Sequence, residues 1–120
     1  MPIRLIALDL DGTVLTSERI PHPAIAASVA RAVDRGIVVC LASGRTVASI
    51  RAFAAEIGIA APMVGCNGAY TVRADGSELH HEPVPDFVRD RILDYADSAG
   101  VHVNLYSRDE VVYPEESPWN

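Results

Sequence analysis

The chain has 120 residues, a net charge of −6 and 49% hydrophobic residues, which suffices for one ordinary domain and little more. Its basic residues are all arginine and are scattered, so it lacks the basic patch that nucleic acids or acidic membrane surfaces require. It also lacks a signal-peptide core and any apolar stretch near the ~20 residues that span a bilayer. We therefore expect a cytoplasmic protein without nucleic-acid or membrane partners.

Three short apolar runs alternate with two helical patterns in the first part of the chain. The runs predict buried strands over residues 3–8, 37–42 and 63–66. Pro23 is placed to open the first helix and Gly36 to end it. The second helix fits residues 46–57, which Gly58 follows. Strands that alternate with helices in this way indicate right-handed βαβ units and a parallel sheet.

The pattern changes after residue 68. Strand-like alternation recurs over residues 69–73, 78–82, 101–106 and 111–113. The first two of these segments flank Asp75-Gly76, which is a good turn for a β-hairpin. A third helix fits residues 86–99, and Gly100 follows it. We predict an α/β fold with two domains: residues 1–82 form a parallel-sheet domain, and residues 83–120 begin an α+β unit.

A polar cluster follows each of the first three predicted strands. The clusters are Asp9-Leu10-Asp11-Gly12-Thr13, Ser43-Gly44-Arg45 and Asn67-Gly68. Because ligands of such sheets bind beyond the carboxyl ends of the strands, we expect the three clusters to meet at one edge. Asp9 and Asp11 lie two positions apart and would project to the same face of a strand. A buried pair of carboxylates is costly unless a cation or a reaction uses it.

These residue types suit phosphoryl transfer. A carboxylate can attack phosphorus and form an aspartyl-phosphate. A neighbouring acid can protonate the leaving oxygen and then deprotonate a water molecule. Mg²⁺ between carboxylate and phosphate would relieve their repulsion. Thr13 and Ser43 can donate hydroxyl hydrogen bonds, Arg45 can pair with an anion, and the amide of Asn67 could face the same pocket.

The three motifs resemble those of the haloacid dehalogenase-like hydrolase superfamily, most closely its Cof-like sugar-phosphate phosphatases with a C2-type cap. The motifs run from Asp9 to Leu15, from Ala42 to Arg45 and from Gly65 to Ala69. The resemblance implies a Rossmann-like core followed by the beginning of an α+β cap. It also implies a Mg²⁺-dependent phosphatase that acts on small phosphorylated metabolites such as sugar phosphates, through an aspartyl-phosphate.

The resemblance also implies a role for each motif residue. Asp9 would be the nucleophile and would bind Mg²⁺ through its carboxylate. Asp11 would be the general acid and base and would bind Mg²⁺ through its backbone carbonyl. Ser43 would hold the phosphate. The substrate-binding positions as a whole would be Thr13, Ser43, Gly44, Arg45, Asn67 and Gly68.

The resemblance covers only the N-terminal portion of the family pattern. Family members continue to a lysine that steadies the phosphate and to an acidic loop that completes the metal site, and this sequence contains neither. We therefore expect an incomplete or truncated protein with little activity of its own. The alternative is a catalytically silent protein that acts through binding or self-association, for which a homodimer is the simplest form. A receiver domain fits poorly, because it needs a lysine and a later phosphoacceptor.

Overall fold

The computed structural model describes residues 2–112, which form a five-stranded sheet, a two-stranded sheet and three α-helices. The strands are β1 (Leu5–Leu8), β2 (Val38–Ala42), β3 (Met63–Gly65), β4 (Tyr70–Val72), β5 (Glu78–His81), β6 (Leu105–Ser107) and β7 (Glu110–Val112). The helices are α1 (Ala24–Val33), α2 (Val47–Glu56) and α3 (Asp86–Ala99). Tyr113, the end of the last predicted strand, lies outside the described residues.

The larger sheet is mixed and has the strand order β1-β2-β3-β4-β5. β1, β2 and β3 are parallel, with Leu5 opposite Val38 and Leu41 opposite Met63. β4 pairs antiparallel with β3, and β5 pairs antiparallel with β4. The predicted α/β fold is therefore confirmed, and the predicted hairpin joins the same sheet as its two antiparallel strands.

The first strand was predicted to be buried, and this is wrong. β1 lies at the edge of the sheet and begins at Leu5 rather than at residue 3. Ile3 and Leu5 are 69% and 57% exposed. An apolar run has the sequence pattern of a central parallel strand, but such a strand is buried only when other elements pack against it. In the part of the chain that the structure describes, β1 pairs with β2 alone.

The hydrophobic core lies between the sheet and its helices, mainly α2 with Val29 of α1, and extends under the loop that follows β1. Its largest fully buried side chains are Leu10, Val14, Leu41, Val47, Ile50 and Val72. α2 contacts both β3 and β4, so it covers the centre of the sheet. Leu10 and Val14 come from the loop after β1, and their burial fixes that loop to the core.

The helices begin and end close to their predicted positions. Pro23 precedes α1 as its cap instead of being its first residue. Thr46 caps α2 by accepting a hydrogen bond from the Ser49 N–H, at 3.4 Å. α3 spans the predicted residues, and Gly100 ends it with a left-handed φ of 63°. The predicted strand at 101–106 is shorter, because β6 begins only at Leu105.

Within residues 2–112 none of the helices has the length and apolar character that a membrane crossing requires. The division into residues 1–82 and 83–120 stays a prediction. The described part of the second unit consists of α3 and the β6–β7 hairpin. That hairpin forms a separate two-stranded sheet, whereas all strands up to His81 belong to the larger one.

Candidate active site

The loop after β1 turns sharply around a buried leucine. The carbonyl of Leu10 accepts hydrogen bonds from the N–H groups of Val14 and Leu15, at 3.0 and 2.8 Å. Leu10 itself has no exposed surface, whereas Asp9 and Asp11 on either side of it are exposed. The expected cost of burying two carboxylates therefore does not arise. The burial of Leu10 holds the loop so that both acids face outward.

A cavity of about 300 Å³ joins the three loops at the carboxyl ends of β1, β2 and β3. Its lining includes Asp9, Ser43, Gly44, Asn67 and Gly68, together with Ala42 and Val64. These are side chains that the sequence placed after three separate strands. Five of the eight predicted site residues thus border one concave space, which is large enough for a phosphate group.

Ser43 lies at the base of this cavity and is only 8% exposed. Its N–H donates to the Val64 carbonyl at 2.9 Å, which continues the pairing between β2 and β3 beyond the end of β2. Its hydroxyl oxygen accepts a hydrogen bond from the Arg45 N–H at 3.3 Å. The hydroxyl hydrogen can therefore point toward a phosphate oxygen in the cavity.

The loop after β3 is held in an unusual backbone conformation. Cys66 and Asn67 have φ values of 50° and 55°, in the left-handed region that costs an ordinary residue about 1–3 kcal/mol. Two backbone hydrogen bonds hold the loop there: the Cys66 N–H donates to the Arg45 carbonyl at 2.9 Å, and the Asn67 N–H donates to the Ser43 carbonyl at 3.2 Å. The prediction that Cys66 belongs to the third strand is wrong, since β3 ends at Gly65 and a cysteine in an apolar run gives no sign of positive φ.

The absence of a side chain at Gly44 leaves room for the side chain of Asn67. A Cβ atom on Gly44 would lie 2.9 Å from Oδ1 of Asn67, which is closer than carbon and oxygen approach without displacement. The absence of a side chain at Gly44 thus lets the Asn67 amide reach the cavity. The glycine of the Ser43-Gly44-Arg45 motif thus has a steric role that is visible only in the folded chain.

Asp11, Arg45 and Thr13 do not border this cavity of about 300 Å³, which we call the smaller cavity. The Arg45 guanidinium turns toward Asp11 and forms a bidentate ion pair with its carboxylate. The hydrogen bonds from Arg45 hold the pKa of Asp11 below its usual value, and Asp11 in turn raises the pKa of Arg45. The guanidinium also lies 5.3 Å from the centre of the Phe53 ring. Thr13 is exposed on the same loop as Asp11.

A second cavity, of about 520 Å³, adjoins the first and shares Gly44 and Asn67 with it. Its other walls come from the β4–β5 hairpin, α3 and β6, and include Tyr70, His81, Val84, Ile92, Leu105 and Tyr106. The His81 ring packs edge-on against Tyr70, with 5.4 Å between ring centres. The small polar cavity thus opens beside a larger and mostly apolar one.

The atoms that could bind a metal ion in the smaller cavity are hard oxygen atoms, which Mg²⁺ prefers as ligands. Asp9 offers a carboxylate there, and Asp11 lies two residues away on the same loop. Among residues 2–112, no group of three or more His, Cys, Asp or Glu side chains is arranged to hold a metal. Mg²⁺ sites commonly use one or two carboxylates and complete their coordination with water and substrate phosphate, and the donors present fit such a site.

The sequence is similar to several phosphatases. Residues 6–120 match the family described as haloacid dehalogenase-like hydrolases. The chain is 30% identical over 114 residues to pyridoxal phosphate phosphatase YbhA of Escherichia coli, covering 94% of this chain and 42% of that protein. It is also 30% identical to 5-amino-6-(5-phospho-D-ribitylamino)uracil phosphatase YwtE of Bacillus subtilis, covering 93% of this chain and 38% of that one. The chain spans about two fifths of the length of these relatives.

The fold is also found in solved structures. A haloacid dehalogenase-like hydrolase from B. subtilis superposes with a TM-score of 0.87 at 25% identity, over 96% of this chain and 40% of that protein. A second such hydrolase, from Bacteroides thetaiotaomicron, shares the fold with a TM-score of 0.81 at 24% identity, over 95% of this chain and 44% of that one. Sequence match and shared fold agree: this chain belongs to the haloacid dehalogenase-like hydrolase family.

Proposed function

We propose that the protein is a Mg²⁺-dependent phosphatase that hydrolyses small phosphorylated metabolites through an aspartyl-phosphate on Asp9. The observation that carries this proposal is the cavity that joins Asp9 to Ser43, Asn67 and Gly68, because it combines a nucleophile with hydrogen-bond donors in a space of phosphate size. The named relatives are phosphatases, which supports the same reaction class.

The reaction would proceed in two displacements. A carboxylate oxygen of Asp9 attacks phosphorus, the bond to the ester oxygen breaks, and Asp11 gives its proton to that leaving oxygen. Asp11 then takes a proton from water, whose oxygen attacks phosphorus and releases inorganic phosphate and the Asp9 carboxylate. Ser43 and the amide of Asn67 donate hydrogen bonds to the phosphate oxygens during both steps.

Asp9 would hold Mg²⁺ through its carboxylate and Asp11 through its backbone carbonyl. When bound, the cation would neutralise charge between the nucleophile and the phosphate. The Asp11 carboxylate is held by Arg45 at 2.7 and 2.8 Å, and this pairing lowers its pKa, so Asp11 must leave the guanidinium and take up a proton before it can protonate the leaving oxygen. Arg45 thus fixes the position of the Asp11 carboxylate between turnovers.

The substrates we propose are small phosphate monoesters in the cytoplasm. Sugar phosphates are one candidate class. The relatives are named for pyridoxal phosphate and for 5-amino-6-(5-phospho-D-ribitylamino)uracil, so phosphate esters that carry a nitrogen-containing ring are a second class. The apolar walls of the larger cavity suit the organic part of either class.

The test compares turnover of p-nitrophenyl phosphate with Mg²⁺ by the wild-type chain, for which we expect a low rate, with turnover by matched carboxylate variants. Asp9→Asn should reduce turnover to background, since the amide is not a nucleophile. Asp11→Asn should lower it roughly 100- to 10,000-fold through loss of acid–base catalysis. Asp94→Asn, an exposed change on α3, should leave it unchanged. Turnover that survives in Asp9→Asn would contradict the proposal.

A further inference from the structure

The turn between β6 and β7 reaches back to the core at the edge of the larger cavity. The Asp109 carboxylate accepts a hydrogen bond from the Ala48 N–H at 3.0 Å, across 61 residues of sequence. Beside it, the Cys66 thiol lies 3.9 Å from the Arg108 carbonyl as a weak donor. The Arg108 guanidinium lies 3.5 Å from the Glu78 carboxylate. The strongest of these interactions is that of Asp109, because it joins a charged acceptor to a backbone donor.

Ala48 is the second residue of α2, so its N–H has no partner within the helix. Thr46 supplies the local cap but bonds the next donor, Ser49, at 3.4 Å. Asp109 therefore acts as a second cap contributed from a distant part of the chain. Its negative charge also lies at the positive end of the helix dipole. These effects make the contact specific for a carboxylate or a similar acceptor at position 109.

The same turn forms one wall of the larger cavity. Tyr106 and Arg108 line the cavity, and so do Gly44 and Asn67 from the loops after β2 and β3. Asp109 follows Arg108 directly, and Ala48, the second residue of α2, follows the Ser43-Gly44-Arg45 motif closely. The hydrogen bond between Asp109 and Ala48 consequently ties the β6–β7 turn, which contributes Arg108 to the lining, to the beginning of α2, close in sequence to Gly44.

We propose that Asp109 is a positioning residue that holds the β6–β7 turn over the larger cavity and thereby sets the size of the organic group that the site accepts. A volume of about 520 Å³ lies in the range of pockets that enclose small organic molecules, and its apolar walls suit a flat ring. A short-chain phosphate ester would leave most of this space to water. The inference rests on the proposed function, and it predicts a preference for ring-bearing phosphate esters.

The experiment compares the full chain with Asp109→Ala, Asp109→Asn and Glu110→Ala. Asn keeps an acceptor oxygen for the Ala48 N–H, whereas Ala removes it; Glu110→Ala removes a carboxylate from the same turn and serves as the control. Amide hydrogen exchange at Ala48 reports the contact without requiring catalysis. We expect Asp109→Ala to speed this exchange roughly fivefold, as loss of an ordinary cap would, and the other two variants to resemble wild type.

The second readout is selectivity between pyridoxal phosphate and phosphoglycolate, expressed as the ratio of their kcat/KM values. Asp109→Ala should raise KM for pyridoxal phosphate severalfold with kcat little changed, and should leave phosphoglycolate unaffected. Asp109→Asn should restore the wild-type ratio. A purely structural defect would instead lower kcat for both substrates and depress the unfolding midpoint of the protein.

Unchanged exchange at Ala48 in Asp109→Ala would overturn the proposal, and so would faster exchange without a change in selectivity. If no variant hydrolyses either ester, the proposed function fails for these 120 residues alone, and calorimetric binding of pyridoxine, a phosphate-free alcohol analogue of the same ring, decides the inference. Weaker pyridoxine binding in Asp109→Ala but not in Glu110→Ala would support it. Equal binding by all four proteins would refute it.

Discussion

The guanidinium of Arg45 donates a hydrogen bond to each carboxylate oxygen of Asp11, at 2.7 and 2.8 Å, across 34 residues of sequence. The pair connects the loop after β1 to the loop after β2, and so joins two of the three motifs directly. Its side chains are 27% and 56% exposed, so solvent screens it and its contribution to stability is below about 1 kcal/mol. The ion pair matters because it fixes the position of the Asp11 carboxylate and lowers its pKa.

We expect Arg45→Gln to raise the pKa of Asp11. The pair lowers this pKa from its ordinary 3.8, chiefly through the hydrogen bond from Arg45. A carboxyl whose pKa is lowered by folding stabilises the fold above its unfolded pKa and loses this contribution as the pH falls through the lower, folded value. The wild-type pair should therefore weaken only below pH 3.8. NMR titration of the Asp11 carboxyl carbon measures this change in pKa. Arg45→Lys keeps the positive charge but not the planar guanidinium that makes two hydrogen bonds, so it should give a pKa of Asp11 between those of wild type and Arg45→Gln.

The burial of Leu10 between the two aspartates makes it the residue on which their placement depends. Leu10→Ala should lower the free energy of unfolding by about 2–5 kcal/mol, because it leaves a cavity in the core under the loop. Leu79→Ala, at a side chain that is 50% exposed, should cost much less. Urea unfolding measures both. Similar losses for the two variants would mean that the loop is not packed as the structure shows.

Two glycines that flank the site should respond differently to alanine. A Cβ atom on Gly65 would lie 2.8 Å from Cγ2 of Val47 and 3.1 Å from the Arg45 carbonyl oxygen, so the packed backbone must shift. Gly65→Ala should therefore destabilise the fold by about 1–3 kcal/mol. Gly44→Ala meets the end of the Asn67 side chain, which can move.

Gly44→Ala should consequently retain most of the stability but weaken the binding of inorganic phosphate, because the displaced Asn67 amide leaves the cavity. Thermal unfolding and phosphate calorimetry on both variants separate the two effects. A Gly44→Ala protein that binds phosphate as wild type does would remove Asn67 from the proposed site. In that case, the loop after β3 would serve only to support the fold.

Magnesium binding should be weak and should depend on Asp9. Only the Asp9 carboxylate is available in the smaller cavity, since the Asp11 carboxylate is held by Arg45. Calorimetry should show that Asp9→Asn abolishes binding, that Asp34→Asn has no effect, and that Arg45→Gln strengthens binding by removing a positive charge that pairs with Asp11. Tight binding that persists in Asp9→Asn would place the cation elsewhere.

We predict that a protein consisting of these 120 residues alone self-associates through β1, which is an edge strand within residues 2–112. Leu5 and Val38 lie opposite each other on β1 and β2, and are 57% and 45% exposed. An edge strand with apolar side chains readily pairs with another copy, and a two-fold dimer is the simplest closed form. Sedimentation of Leu5→Lys should show more monomer than wild type at equal concentration. Leu79→Lys, on the opposite edge strand, tests whether the effect is specific to β1.

The sequence alone determined which segments form strands and helices along the chain, and which three loops carry the site. These features are local: apolar periodicity, helix caps and glycine turns act over a few residues, so they can be read along the chain. The convergence of Asp9, Ser43 and Asn67 followed from one general rule, that the carboxyl ends of parallel strands meet at one edge. The motifs therefore predicted both the fold and the family.

Only the tertiary structure decided which side chains pair and which strands are covered. The Asp11–Arg45 pair and the Asp109–Ala48 contact join residues 34 and 61 positions apart, and no local pattern specifies such distances. The exposure of β1 depends on what lies beside it rather than on its composition. Burial and long-range hydrogen bonding are properties of neighbours in space, and the chain acquires them only when its elements pack together.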